Sequence, residues 1–156
     1  MFDLEEKKKR KDTKLESEGA EFLVLGNLLI EGISTYKTYT NFPGYDLIAI
    51  NPKSKKIAKI QVKSRFQIDY GGQFPFENLD CDFVVHVALN REYFKKEKNI
   101  DIDPQLQVPI IYIFPKEIAE QHRKFSDKFA PKVELKKIEN FGLYINNWKL
   151  IKDFLE

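Results

Sequence analysis

The stretch YDLIAINPKSKKIAKIQVKSR, residues 45–65, predicts a β-hairpin. Two runs rich in Ile, Val and Ala flank PKSK at residues 52–55, and such runs around polar turn residues are typical of paired strands. If Asn51 and Lys56 close a four-residue loop, the numbers of opposed residues sum to 107, and Asp46 faces Gln61. Directly opposed residues of antiparallel strands hold their Cβ atoms about 4.5–5.5 Å apart. The sequence therefore places a carboxylate beside an amide.

The polar residues of this hairpin share one face. Gln61 and Lys63 lie two positions apart, so they point to the side that the alternating apolar residues leave. Asp46 is the only charged residue in YDLIAI, where burial is costly unless the carboxylate is satisfied. Its oxygens and the Gln61 amide oxygen could bind one divalent cation, with the carbonyl of Val62 nearby, and oxygen ligands suit Mg²⁺. The alternative is a solvent-facing strand surface.

The remaining pattern predicts a single α/β domain. Residues 15–31 have helical periodicity through Phe22, Leu25 and Leu29, and Gly32 is a natural helix stop. Glycines and a proline within residues 65–80 predict a long loop there. Further strands are predicted at residues 33–40, 82–89 and 108–114, and helices at 115–125 and about 146–155. A charged lead-in, residues 1–14, precedes the first helix, and residues 90–107 form a polar insertion.

Composition excludes several classes of protein. A chain of 156 residues, 42% hydrophobic, has the size of one domain with one core. The net charge of +2 excludes a wholly basic nucleic-acid coat but allows a locally basic face. One cysteine and two histidines are too few for a Cys/His zinc site. With no apolar segment of about 20 residues and no signal-peptide pattern, we expect a cytoplasmic protein with no membrane partner.

In their order along the chain, these residues resemble the PD-(D/E)XK nuclease superfamily. Its signature is an acidic strand residue, then (D/E/Q)-x-K on the next strand, with a helical glutamate upstream. The matching residues are Asp46, the QVK of residues 61–63, and Glu21 in EGAEFLVLGNLLIEG. QVK followed by DCDFVVHVAL and IYIFPKE is similar to the group I intron-associated, homing-type endonucleases. The chain departs from the signature at Tyr45, which replaces the proline, and at the neutral Gln61.

The resemblance implies a fold, an activity and a site. The fold would be a restriction-endonuclease-like α/β core, a central mixed β-sheet flanked by helices. The activity would be Mg²⁺-dependent cleavage of DNA to 5′-phosphate and 3′-hydroxyl ends, with Mn²⁺ able to substitute. The catalytic residues would be Glu21, Asp46, Gln61 and Lys63. The metal would be bound by Asp46, Gln61, the backbone carbonyl of Val62 and Glu21, and Lys63 would orient water or neutralise charge on the phosphate.

The basic residues around the hairpin are the expected DNA contacts. They are Lys53, Lys55 and Lys56 at the turn and Ser64 and Arg65 after the QVK motif, although the lysines could equally serve solubility. Because a chain of this size holds one candidate site, cleavage of both strands would require a homo-oligomer, at least a dimer. Two other functions stay open. One is a nuclease-fold module that binds nucleic acid without cutting it, and the other is a structural α/β domain.

Overall fold

A computed structural model describes residues 13–38, 44–68, 72–93 and 108–156. The helices are α1 (Lys14–Ile30), α2 (Lys116–Gln121) and α3 (Lys149–Leu155). The strands are β1 (Ser34–Lys37), β2 (Leu47–Ile50), β3 (Ile57–Ile68), β4 (Gln73–Pro75), β5 (Phe83–Tyr93), β6 (Ile110–Pro115), β7 (Arg123–Lys124) and β8 (Lys132–Glu134). None of the helices in these ranges is long and apolar enough to cross a bilayer.

The central element is a mixed five-stranded sheet in the order β1-β2-β3-β5-β6. The β3–β5 pair is parallel, and the other neighbours are antiparallel. One face packs against α1 and α3, and the other packs against α2 and a small second sheet, β4-β8-β7. The predicted mixed sheet flanked by helices is confirmed, whereas the small second sheet was not predicted.

The buried stripe of α1 differs from the predicted one. Ala20, Val24 and Leu28, four residues apart, are fully buried against the main sheet. Phe22 and Leu29, which were predicted to define the apolar stripe, are 48% and 52% exposed. The helix carries two adjacent apolar stripes, and the sheet packs against the one that offers a small alanine. The predicted end of the helix is confirmed: α1 stops at Ile30, and Gly32 takes a φ of +78°.

The predicted hairpin register is confirmed. Leu47 pairs with Ile60 and Ala49 with Ala58, so the opposed numbers sum to 107. The turn is closed by a hydrogen bond from the Asn51 N–H to the Lys56 carbonyl. Strand β2 begins at Leu47, two residues later than expected.

The predicted loop at residues 65–80 is wrong in its first part. Strand β3 continues to Ile68 because Arg65, Gln67 and Ile68 pair with a longer β5 that extends to Tyr93. The register shifts between Arg65 and Gln67, which allows the parallel ladder to continue past an irregularity.

The two later helices are also shorter than predicted. The lead-in up to residue 12 and residues 94–107 of the polar insertion lie outside the described residues.

Candidate active site

The side chain of Asp46 makes the hydrogen bond that closes the β2–β3 ladder. Its backbone N–H donates to the carbonyl of Ile60 at 2.8 Å, and its carbonyl accepts from the Thr38 N–H at 3.0 Å. Its Oδ2 accepts from the N–H of Val62 at 2.7 Å. The carboxylate thus takes the place of the next backbone carbonyl in the ladder. This explains why regular pairing starts only at Leu47, and it fixes the carboxylate at the edge of β3.

Gln61 directly precedes Val62, the residue whose N–H binds the Asp46 carboxylate. Its side chain is 7% exposed, and its Oε1 has no hydrogen-bond partner among the described residues. Burying an amide oxygen without a partner costs about 1–3 kcal/mol. The carbonyl of Val62 points to the same edge of β3 as its N–H, and therefore toward Asp46. The Asp46 carboxylate and the Val62 backbone are therefore adjacent at this edge, with Gln61 next to Val62 in the chain.

Lys63 lies on the face of the main sheet that packs against the second sheet. In the parallel ladder Gln61 is beside Val84 and Lys63 is beside His86, and parallel neighbours point to the same face. Val84 belongs to the core that the second sheet covers. Lys63 interacts electrostatically with Asp46 and opposes the burial effect on the pKa of that carboxylate.

Glu21 approaches the site from α1 through Lys37, a residue that the sequence did not single out. Lys37 stands opposite Leu47 on β1, so it faces α1. Its ammonium binds the Glu21 carboxylate and lies 2.9 Å from Glu18. Burial alone would lower the pKa of Lys37, but the bonds to Glu21 and Glu18 raise it. Lys37 and Glu21 therefore lie on the α1 side of the sheet, whereas Gln61 and Lys63 point to the face that the second sheet covers. Asp46 interacts electrostatically with groups on both sides.

Burial disfavours the charged form of both carboxyl groups. Burial raises the pKa of Asp46, and the Val62 N–H and the two nearby lysines only partly offset it. Burial also raises the pKa of Glu21, where the Lys37 bond opposes the shift and repulsion by Asp46 adds to it. A cation beside both groups would relieve this cost. Within the described ranges no three Asp, Glu, His or Cys side chains converge as a metal cluster.

Comparison with solved structures shows which fold carries this site. The bacterial homing endonuclease I-Ssp6803I matches with a TM-score of 0.58 and 19% identity, over 91% of this chain and 93% of that one. The Holliday junction resolvase Hjc of the archaeon Archaeoglobus fulgidus matches with a TM-score of 0.50 and 13% identity, over 88% and 96%. Both have PD-(D/E)XK nuclease folds. This chain has the PD-(D/E)XK nuclease fold. No protein-family model and no curated protein sequence matches it.

On this nuclease fold, the expected DNA contacts are only partly near the site. Lys53 and Lys55 at the hairpin turn are exposed, but Lys56 donates to the carbonyl of Glu156 at the end of the described chain. Four strand residues, about 13 Å, separate the turn from Asp46. The structure thus does not bring these lysines together with the carboxylates, and their contact with DNA stays a prediction.

The other two expected contacts lie in β3 itself. Ser64 is partly buried, on the same side of the strand as Val62. The Arg65 guanidinium donates from Nη1 to the carbonyl of Gln73 at 3.3 Å, which ties β3 to β4. A role of Ser64 and Arg65 in DNA binding likewise stays a prediction.

His86, the neighbour of Lys63, contributes packing rather than charge. Its ring stacks on Phe74 with centroids 5.0 Å apart, and it is 1% exposed. Burial, with a smaller contribution from Arg65, lowers the pKa of His86 to about 3. The imidazole is therefore neutral at physiological pH, which leaves Lys63 and Lys37 as the cations that act on Asp46.

We expect Lys37→Met to lower the free energy of unfolding by about 1–2 kcal/mol, measured by urea denaturation. The substitution keeps the apolar stem but leaves Glu21 without its ammonium partner, and removing one member of a buried ion pair is strongly destabilising. The figure is smaller than for a fully buried pair because Glu18 is 56% exposed.

The matched control is Lys149→Met, because Lys149 is 75% exposed and pairs with Asp153 on the surface of α3. It should change stability little. A double-mutant cycle with Glu21→Gln should give a positive coupling energy between Lys37 and Glu21. A coupling energy near zero would contradict the assigned pairing.

Proposed function

We propose that this chain is a divalent-metal-dependent DNA endonuclease that leaves 5′-phosphate and 3′-hydroxyl ends. The observation that carries the proposal is the buried Oε1 of Gln61, which has no hydrogen-bond partner among the described residues and lies one residue before Val62, whose N–H binds the Asp46 carboxylate. Lys63 stands two residues further on the same strand face, as the nuclease signature requires. A cation held beside Asp46 would give this amide oxygen a partner.

The residues at the β3 edge fit a hard cation. Mg²⁺ binds through one or two carboxylates, keeps several waters and is completed by substrate phosphates, so two acidic groups suffice. Asp46, Gln61 and the Val62 carbonyl would hold it, with Glu21 bound directly or through a water, and Mn²⁺ could substitute. When bound, the ion would polarise the scissile phosphate and lower the pKa of a bound water.

The chain's own side chains would contribute orientation and charge. The Val62 N–H fixes one oxygen of Asp46, so the carboxylate needs little reorganisation before it acts. Lys37 restrains the Glu21 side chain on α1, and Glu21 interacts electrostatically with Asp46. Lys63 would neutralise negative charge that builds on the phosphate as the attacking water adds.

The substrate class is supported by the fold comparison. One structural neighbour is a homing endonuclease and the other is a Holliday junction resolvase. With one candidate site in the described chain, cleavage of both strands of a duplex would require two copies, so we propose a homo-oligomer. We also propose a cytoplasmic location.

The direct test is cleavage of a supercoiled plasmid with Mg²⁺, with Mn²⁺ and with EDTA. Nicked or linear products should form with either metal and disappear with the chelator. DNA ligase should reseal the products, because it requires a 5′-phosphate beside a 3′-hydroxyl. Cleavage that persists in EDTA would contradict the metal requirement. Products that resist ligation would contradict the proposed ends.

One second function has a specific observation in its favour. Gln61 is neutral, and Lys37 and Lys63 balance the charges of Glu21 and Asp46, so these five side chains carry no net charge. A site of this kind attracts a free cation weakly. A non-catalytic nucleic-acid-binding module would retain the plasmid in a binding assay and leave it intact with both metals.

A further inference from the structure

The second sheet carries a concentration of positive charge outside the candidate active site. We define the basic hairpin as residues 123–137, which comprise β7, β8, their connection and the turn that follows. It contains six Lys or Arg residues and two acidic residues, a net charge of +4, whereas the rest of the chain carries −2. Such a local excess in a nearly neutral chain marks a surface suited to a polyanion.

Two phenylalanines at the connection are exposed, and each lies under a cation. Phe125 and Phe129 are 68% and 66% exposed. The Arg123 guanidinium carbon is 4.8 Å from the ring centre of Phe125, and the Lys132 Nζ is 5.4 Å from that of Phe129. Exposed rings beside cations suit nucleic acid, because bases offer apolar faces for the rings and phosphates offer charge for the lysines.

Two lysines are directly opposed in the ladder of the basic hairpin. Lys124 pairs directly with Lys132 across β7 and β8. Like charges directly opposite in an antiparallel pair are destabilising. A phosphate group between these ammonium groups would remove the repulsion, so the pair is better satisfied in a complex than in the free protein.

The basic hairpin lies on the face of the main sheet to which Gln61 and Lys63 point. The second sheet covers the face that carries Val84, the register neighbour of Gln61. The Arg65 bond to Gln73 joins β3 to β4, and β8 connects β4 to β7. A duplex that approaches Lys63 from this face would meet the basic hairpin beside it.

We infer that the basic hairpin is a contact surface for duplex DNA. Lys124, Lys128 and Lys132 contact phosphates, and Phe125 and Phe129 contact the apolar surface of sugars or bases. The inference rests on the proposed function for its substrate class. It assigns DNA binding to a part of the chain that is distant in sequence from the QVK strand and from the β2–β3 turn.

The test measures binding of a fluorescent duplex of mixed sequence by anisotropy, in EDTA, across a series of NaCl concentrations. K124Q/K128Q should reduce the slope of log affinity against log salt by about 1.8, because each phosphate contact contributes about 0.9. At low salt its affinity should fall about tenfold or more. The matched control, K149Q/K152Q, removes the same charge from α3 on the opposite face and should bind like the wild type.

F125A/F129A separates apolar contact from charge. It should weaken binding about fivefold or more while leaving the salt slope unchanged, since no counterion release is lost. Wild-type affinity and slope in both hairpin variants would overturn the inference. A shift of oligomeric state in these variants with unchanged DNA binding would also overturn it, in favour of a surface for a second copy or an acidic protein.

Failure of this inference is distinguishable from failure of the proposed function. If the hairpin variants bind weakly but the wild type leaves plasmid intact with Mg²⁺ and Mn²⁺, the contact surface is supported and the proposed endonuclease activity is contradicted. If the wild type cuts the plasmid and the hairpin variants bind the duplex as tightly as it does, the proposed activity is supported and the contact surface is contradicted.

Discussion

Replacing Lys63 with alanine should lower the rate of DNA cleavage by about 10²–10³-fold or more while leaving the protein folded. Lys63 interacts electrostatically with Asp46 and shares a strand face with Gln61, so its ammonium lies where a phosphate bound at the β3 edge would gain negative charge. Removing one preorganised group of this kind costs about 3–4 kcal/mol of transition-state stabilisation in well-studied enzymes. Single-turnover cleavage of supercoiled plasmid with saturating Mg²⁺ measures the chemical step directly.

The matched control is Lys59→Ala, on the same strand and the same face. Lys59 pairs with Asp80 at 2.9 Å and is exposed enough that its loss should not disturb the core. It should cut within a few-fold of the wild type. A Lys63→Ala rate within tenfold of the wild type, with unchanged DNA affinity and thermal stability, would remove Lys63 from the catalytic residues. Equal losses of cleavage rate in both variants would show that the effect comes from removing any positive charge on this face and is not specific to Lys63.

The hairpin could be predicted because its determinants are local. The turn length and the alternation of apolar residues together allow one register, and a slip by one residue would turn Ile60 and Leu47 out of the core. Continued by one residue, that register predicts that Asp46 faces Gln61, but the Asp46 N–H binds the Ile60 carbonyl, so the regular ladder ends at Leu47. By contrast, the buried side of α1 depends on which of two apolar stripes the sheet accepts, and nothing within the helix decides this.

Lys37 could not be recognised because its role arises from contacts between distant elements. In sequence it is one lysine in ISTYKTYT, and only the pairing of β1 with β2 places it beneath α1. Thr35 and Lys37 do alternate on one face of the strand, and this is the one signal that could have indicated burial. The second sheet was missed for a related reason. Strands of two or three residues carry no measurable alternation, and β4 pairs with β8, about 60 residues away.

We expect Gln61 to lower the stability of the folded protein while it contributes to catalysis. Without metal, its buried Oε1 has no hydrogen-bond partner among the described residues, so Gln61→Met, of similar volume, should raise the free energy of unfolding by about 1 kcal/mol. The same variant, and Gln61→Ala, should lose most cleavage activity because a donor to the cation is gone. The expected combination is gain of stability with loss of activity, measured by urea denaturation in EDTA and by plasmid cleavage in Mg²⁺.

Gln61→Glu should separate metal binding from cleavage. It adds a negative charge beside Asp46, so Mg²⁺ or Mn²⁺ should bind the DNA-free protein about tenfold more tightly or better, by calorimetric titration. Cleavage need not accelerate, because the added charge repels the scissile phosphate and can hold Lys63 in an ion pair. Gln73→Ala, a partly buried strand glutamine away from the carboxylates, is the control and should match the wild type. If Gln61→Glu binds metal no better than the wild type and Gln61→Ala cuts at the wild-type rate, the amide is not a metal donor. The proposed site would then lack its central residue.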